Sequence, residues 1–186
     1  TEVSKGLRES FFAALTHAPT ITVGKRITEI PPQSVLSQRG IALYKANRGG
    51  LATYHGPGQL MVYMFIDIDR LGIKIRQVVS AIEKGIIDWL FGKGIVATCV
   101  QGAPGVFVRS ENGAIEKIAA IGLNFSRGIS MHGFALYLLD DSEPFSLINP
   151  CGVKGGQVTS VQAQLSEALS PKECFESVAN QIRSSI

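Results

Sequence analysis

The sequence predicts an α+β domain, a central mixed or mostly antiparallel β-sheet flanked by helices. Three observations carry this. Short β-prone runs recur along the 186 residues, two of their connections carry the tight-turn pairs Asn112-Gly113 and Arg127-Gly128, and helical periodicity is confined to a few segments. Apolar residues make up 45% of the chain and charged ones 18%, enough to bury one full core. No repeat, low-complexity tract or interior linker divides it, so residues 1–186 read as a single domain.

Taken in order, Leu7, Phe11, Phe12 and Leu15 fall at helical spacing and predict a short amphipathic helix over residues 4–15. Thr20 to Val23 is β-branched throughout and reads as a strand ended by Gly24. Pro31-Pro32 breaks the chain, and residues 25–39 read as loop. Ile41 to Ala46 is a second strand and Leu60 to Ile66 a third, apolar enough to be covered on both faces. Between them lies Arg48-Gly-Gly-Leu-Ala-Thr-Tyr-His-Gly-Pro-Gly-Gln59, with four glycines, too Gly-rich for a strand and too constrained for a linker. Ile75, Val78, Val79, Ile82, Ile86, Trp89 and Leu90 mark the clearest helix, stopped by Gly92 and Gly94. Strands follow at Val96–Val100, Gly105–Arg109, Ile115–Phe125 and Ile129–Leu139. Pro144–Gly156 is irregular, and Gln157–Val161 is a last short strand. Ser170, Pro171 and Glu173 form a capping-box pattern ahead of a final helix with Phe175, Val178 and Ile182 as its stripe.

Composition removes several classes of function. A net charge of +3 without a Lys/Arg run offers no nucleic-acid stripe. Three cysteines in no regular spacing argue against a disulfide framework or a cysteine-based zinc site, and point to reduced thiols in a cytosol-like compartment. No apolar run has the ~18–20 residues that span a bilayer, and no signal peptide opens the chain. The first residue is Thr1 and not Met, compatible with a missing or processed N-terminal piece.

Cys151 is the candidate nucleophile, because Asn149-Pro-Cys-Gly152 lies off any apolar stripe, in an irregular segment that can face a cleft. Cys99, in an apolar strand, and Cys174, on the last helix, fit the inert structural type. A free thiol with a pKa of about 8.5 is mostly protonated at neutral pH, so a cation should stand near a nucleophilic one. Lys117 opens Lys117-Ile-Ala-Ala-Ile-Gly122, where an inward lysine would meet small residues and titrate together with a nearby thiol. Taken alone, it also reads as an ordinary exposed strand lysine. His55 and His132 lack companions at metal-ligand spacing, so no metal is expected, although either could pair with Cys151 as a Cys-His dyad; His17 reads as positional.

The loop from Arg48 to Gln59 resembles a signature of the octanoyltransferases, the lipoate–protein ligase B family. So do Lys117–Gly122, His132-Gly-Phe-Ala135 and Asn149–Gly152, in that order, with Thr159-Ser160 and His17–Gly24 in support. The resemblance covers residues 15–165 and implies a fold like the catalytic domain of biotin and lipoate protein ligases. It implies transfer of an octanoyl or lipoyl group from acyl carrier protein to a lysine of a lipoyl domain, in 2-oxoacid dehydrogenases or the glycine cleavage H protein. The transfer would run through a thioester on Cys151 assisted by Lys117, without a cofactor. Arg48, Gly49, Gly50, Leu51, Ala52, Thr53, Tyr54 and His55, then Ala120, Ile121 and Gly122, then His132, Gly133, Phe134 and Ala135, would line the acyl site. The implied location is cytoplasmic, or mitochondrial in a eukaryote. Tyr137 stands where the family usually has Asn, and Leu51 where Gln is common. The rivals are an ATP-dependent lipoate or biotin ligase, a non-catalytic carrier-binding homologue and a Cys-His hydrolase.

Overall fold

Residue alternation along the strands decides what each side of the main sheet touches. The computed structural model describes residues 9–26, 29–148 and 157–186. Strands β1 (Phe11–Leu15), β5 (Gln59–Phe65), β6 (Ala97–Val100), β7 (Ala103–Arg109), β8 (Ile115–Ser126) and β9 (Ile129–Tyr137) form one sheet in the order β1-β5-β9-β8-β7-β6. All these neighbours are antiparallel, and β10 (Gln157–Val158) joins β8 in parallel. A second sheet, β3-β2-β4, holds β2 (Thr20–Val23), β3 (Ala42–Lys45) and β4 (Ala52–His55), with β2 parallel to β3 and antiparallel to β4.

On β5, Leu60, Val62 and Met64 face the helices α3 (Ile75–Phe91) and α5 (Pro171–Arg183), as Phe134 and Leu136 do from β9. Met61, Ala135 and Tyr137 point the other way, into a smaller apolar cluster with Ile21, Ala52, Tyr54 and Phe145. The main sheet is therefore a middle layer, which is why β5 is apolar at nearly every residue. Each fully buried aliphatic or aromatic side chain contributes about 1.5–3 kcal/mol relative to exposure. Gly85 lets α3 approach α5, since a Cβ there would lie 2.7 Å from the Ile182 backbone. No helix among the described residues is long and apolar enough to cross a membrane.

Several expectations change in the folded chain. The described part of the first expected helix, Phe11–Leu15, is a strand: it completes the β5 edge, and Phe11 stacks on Phe65 with ring centroids 4.8 Å apart. Pairing and a cross-strand aromatic contact override the helical spacing. The loop expected over 25–39 contains α1 (Gln33–Gln38), which starts at Pro32 and buries only Leu36, too little to show a period. The glycine-rich segment holds β4, four residues free of glycine and all buried. Ser170 and Pro171 do begin α5, but no side-chain bond closes the capping box; the Glu173 amide bonds the Ser170 carbonyl at 3.1 Å. Cys99 is exposed, because edge strand β6 is irregular between Thr98 and Val100. Two short helices carried too little pattern to be expected, α2 (Ile68–Leu71) and α4 (Val161–Leu165).

Candidate active site

Arg48 is the centre of one half of the site. It is 9% exposed, and its guanidinium donates to Thr22 O (2.6 Å), Thr22 Oγ1 (2.8 Å from Nη2 and 3.2 Å from Nε), Gly49 O (2.9 Å) and Leu51 O (2.8 Å). The glycines make this possible: Gly24 lies so close to the Gly50 carbonyl and Arg48 that a Cβ would collide, and Gly50 takes a φ of 88°. The loop is pinned to β8 by the Gly49 amide on Leu123 O (3.2 Å), which brings Arg48 over Gly122. No carboxylate pairs with Arg48 among the described residues. Burial pulls its pKa below the ordinary value, opposed by Tyr137.

Burial and the charge of Arg48 together act on His55 and His132. Thr22 Oγ1 already accepts from Arg48, so its own hydrogen goes to His55 Nε2, 3.2 Å away, which places the proton of neutral His55 on Nδ1. Burial first, then Arg48 and His17, push the His55 pKa down to about 4. Gln59 approaches closely enough to favour the proton, yet neither His55 Nδ1 nor Gln59 Oε1 has a partner in good hydrogen-bond geometry. The Gln59 amide is held by the Tyr54 carbonyl at 3.1 Å. His132, at a φ of 64°, donates from Nε2 to Asn47 Oδ1 (2.6 Å); burial, Arg48 and Lys25 lower its pKa. His17 bonds the Tyr63 hydroxyl (3.1 Å), with its ring centroid 5.7 Å from that of His55. Strands β4 and β9 and the loop between β1 and β2 thus gather all three histidines of the chain around Arg48 and Tyr63.

Lys117 is placed by a bulge. β7 pairs Val106 with Ala119 but Phe107 with Lys117, so β8 carries one extra residue, Ile118. Ile118 and Ala119 both face the helix layer, and Lys117 is turned to the side of Phe107, away from that layer. Simple alternation from Ala120 would have aimed Lys117 at the helices; re-aiming one side chain is what bulges do. Lys117 is 6% exposed, with Nζ 3.4 Å from Pro104 O and 5.0 Å from the centre of the Phe107 ring. Its backbone holds β10: Val158 lies opposite it, and the Thr159 amide donates to Lys117 O at 3.0 Å. Ser160 then caps α4 through the Ala163 amide (3.1 Å).

Cys151, with the rest of 149–156, lies outside the described residues. The chain enters that segment from Ile148, packed on the smaller apolar cluster, and leaves it into the β10 strand beside Lys117. Of the other expected residues, Arg48, Gly49, Gly50, Leu51, Thr53, His55, Gly122, His132 and Gly133 lie around the polar group or its strands. Ala52, Tyr54, Ala120 and Ala135 belong to the smaller apolar cluster. Ile121 and Phe134 turn their side chains to the helix layer, leaving only their main chain for a ligand. Sequence reasoning missed Thr22, Asn47, Gln59 and Tyr63. Thr22 and Gln59 were within reach, since they sit in the His17–Gly24 and Arg48–Gln59 stretches; Asn47 and Tyr63 depend on strand register.

Lys117 is buried by a bulge next to β10, the strand that follows the candidate cysteine, and the Arg48 loop packs further along the same β8 strand at Gly122 and Leu123. The model of the lipoyl protein ligase A/B catalytic domain matches residues 1–183. The chain belongs to this family. Similar proteins include the octanoyltransferases of Dechloromonas aromatica (45% identical over 142 residues, 76% of this chain and 65% of that protein) and Aromatoleum aromaticum (47% over 141 residues, 76% and 58%). That of Alcanivorax borkumensis is 44% identical over 153 residues, 82% of this chain and 59% of that protein. The chain thus spans about 58–65% of the length of these relatives. The fold is shared with the bipartite lipoate protein ligase of Thermoplasma acidophilum (TM-score 0.72, 16% identity, 98% of this chain and 74% of that one). It is also shared with the biotin protein ligase of Aquifex aeolicus (TM-score 0.59, 13% identity, 89% and 69%). This bears out the expected α+β ligase-like architecture.

Proposed function

We propose that the protein is an octanoyltransferase, moving an octanoyl or lipoyl group from acyl carrier protein to a lysine of a lipoyl domain. The observation that carries this reading is the bulge that buries Lys117 beside β10, the strand into which the Cys151 segment runs. The thiolate of Cys151 attacks the carrier thioester; a bond forms from Sγ to the carbonyl carbon, and the carbon–sulfur bond to the carrier arm breaks. Lys117 accepts the Cys151 proton and gives it to the departing carrier thiol. In the second half, the acceptor lysine's amine attacks the enzyme thioester, the amide forms, and the proton lost by the amine returns to Cys151 Sγ through Lys117. Backbone amides of the glycine-rich loop are candidates to hold the oxyanion, an effect typically worth ~3–4 kcal/mol per donor. Both steps are downhill or near neutral without ATP. The acceptors are lipoyl domains such as those of 2-oxoacid dehydrogenases and the glycine cleavage H protein.

The ATP-dependent ligase reading has the shared fold in its favour, including that of lipoate-protein ligase A bound with ATP (TM-score 0.70, 15% identity, 96% of this chain and 71% of that one). One experiment separates the two. Intact-mass analysis after mixing with octanoyl–carrier protein should show one added octanoyl group, removed by hydroxylamine and absent from Cys151→Ala. Undiminished transfer by Cys151→Ala, with ATP and free octanoate as donor, would move the protein to the ligases.

A further inference from the structure

We infer that the exposed basic rim formed by Lys25, Arg26 and Lys45 is the docking surface for an acidic protein domain that carries the acyl donor on a flexible arm. The inference rests on the acyl-transfer reading above. Its starting point is an asymmetry of charge. From Ser10 to Ile66 the chain has five Lys/Arg and a single acidic residue, Glu29, whereas residues 67–186 hold eleven Lys/Arg against twelve Asp/Glu. Of these five, Arg39 pairs with Glu143 and Arg48 is buried, so the exposed excess of positive charge is Lys25, Arg26 and Lys45, at and beside the small sheet.

Register concentrates that charge. Lys45 lies opposite Val23 on the edge strand β3, and Lys25 and Arg26 follow Val23 after Gly24, with their amides on the carbonyls of Arg48 (3.1 Å) and Gly50 (3.2 Å). All three side chains are exposed, and none has an ion pair among the described residues. Among the described residues, the hydrogen-bond partner of Lys25 Nζ is a neutral acceptor, Asn124 Oδ1 at 2.8 Å. Tyr44, next to Lys45, is 64% exposed and adds an aromatic of the kind enriched in protein interfaces. The rim is continuous with the site, because its backbone is bonded to the Arg48 loop.

The position favours the donor over the acceptor. Asn124, which Lys25 contacts, is seven residues along β8 from Lys117, roughly 20 Å at strand rise. A carrier whose thioester ends a long arm can sit that far from the reacting atoms. An acceptor lysine side chain is short, so its domain must contact the protein nearer to Lys117. A cationic rim facing an acidic partner chiefly speeds encounter, and salt screens it.

The test compares wild type with Arg26→Glu/Lys45→Glu, using two octanoyl donors: acyl carrier protein and the small thioester of N-acetylcysteamine. Both residues are exposed, and neither belongs to the acyl site. The KM for the carrier donor should rise about tenfold or more at low salt and approach wild type at high salt. The kcat, and all rates with the small thioester, should stay unchanged. Arg26→Lys/Lys45→Arg should behave as wild type. An unchanged KM for the carrier, an equal loss with both donors, or a defect confined to transfer onto the acceptor domain would each overturn the assignment. Failure of wild type to be acylated by either donor would instead overturn the acyl-transfer reading, and this one with it.

Discussion

Two buried cations stand on the same protein under different regimes. Arg48 spends its hydrogen-bonding fork on Thr22 and on the carbonyls of its own loop. Among the described residues, Lys117 Nζ lies 3.4 Å from the Pro104 carbonyl and over the face of Phe107. The first is an architectural charge, saturated by fixed backbone dipoles, which writes its field onto His55 and His132. The second is held beside a ring and a carbonyl, in a corner whose partner strand leads back to Cys151. A guanidinium matches several fixed acceptors and keeps its proton; an ammonium on a flexible stem can exchange one. On the acyl-transfer proposal, the contrast separates holding a site together from working in it.

Exchanging each cation for methionine should break the two roles apart. Lys117→Met removes a buried charge and keeps the volume, so stability in chemical denaturation should change by no more than about 1 kcal/mol. Its acyl-transfer rate should drop by about 10²–10⁴-fold, the usual worth of a positioned acid–base group. Arg48→Met leaves the Thr22, Gly49 and Leu51 carbonyls without their donor, and should cost about 3 kcal/mol or more. A Lys117→Met variant that unfolds as readily as Arg48→Met, while its rate survives, would collapse the distinction.

Burial of His55, reinforced by the field of Arg48, also sets a pH dependence of similar size. His55 in the folded chain has a pKa pushed down to about 4, against an ordinary 6.5. Between those values the unfolded chain binds more protons, so stability rises with pH across this window. Acidifying from pH 6.5 to pH 4 should therefore cost up to about 3 kcal/mol from this residue. Asp141, whose pKa burial raises, contributes with the opposite sign. The clean readout is the difference between wild type and His55→Gln in denaturant midpoints at pH 7 and pH 5, with the slope flatter in the variant. Equal slopes would mean that His55 is not held neutral.

The sequence exposed the residues with chemistry better than it exposed their geometry. Strands β5, β7, β8 and β9, helices α3 and α5, and the glycine pair at the Arg48 loop were legible because period, turn chemistry and composition act locally. Phe11–Leu15 was not, since only pairing with β5 chooses strand over helix there. β4 hid among glycines that bound it without belonging to it. The inward turn of Lys117 comes from a single inserted residue at Ile118, and no local pattern in one chain records which partner residue is skipped. The association of Thr22 with Arg48, 26 positions apart, is a fact of register as well.

The smallest expected effect probes how tightly the Arg48 half is fitted. A Cβ on Gly122 would lie 3.1 Å from Arg48 Cδ and 3.9 Å from Gly49 O, so its one close neighbour is part of a long side chain. At Gly105, on the Lys117 side, a Cβ would meet the Ala119 carbonyl at 2.5 Å, with φ at 135°, where backbone must give. Gly105→Ala should therefore cost several kcal/mol, of the order of strained backbone plus a lost strand contact, about 2–4 kcal/mol. Gly122→Ala should cost about 1 kcal/mol or less, because Arg48 can shift a few tenths of an ångström while its guanidinium stays anchored. Thermal unfolding of the two variants gives the ranking directly. Gly122→Ala as damaging as Gly105→Ala would mean that Arg48 has no room to give, and that the glycine loop is as rigid against β8 as the strands are against one another.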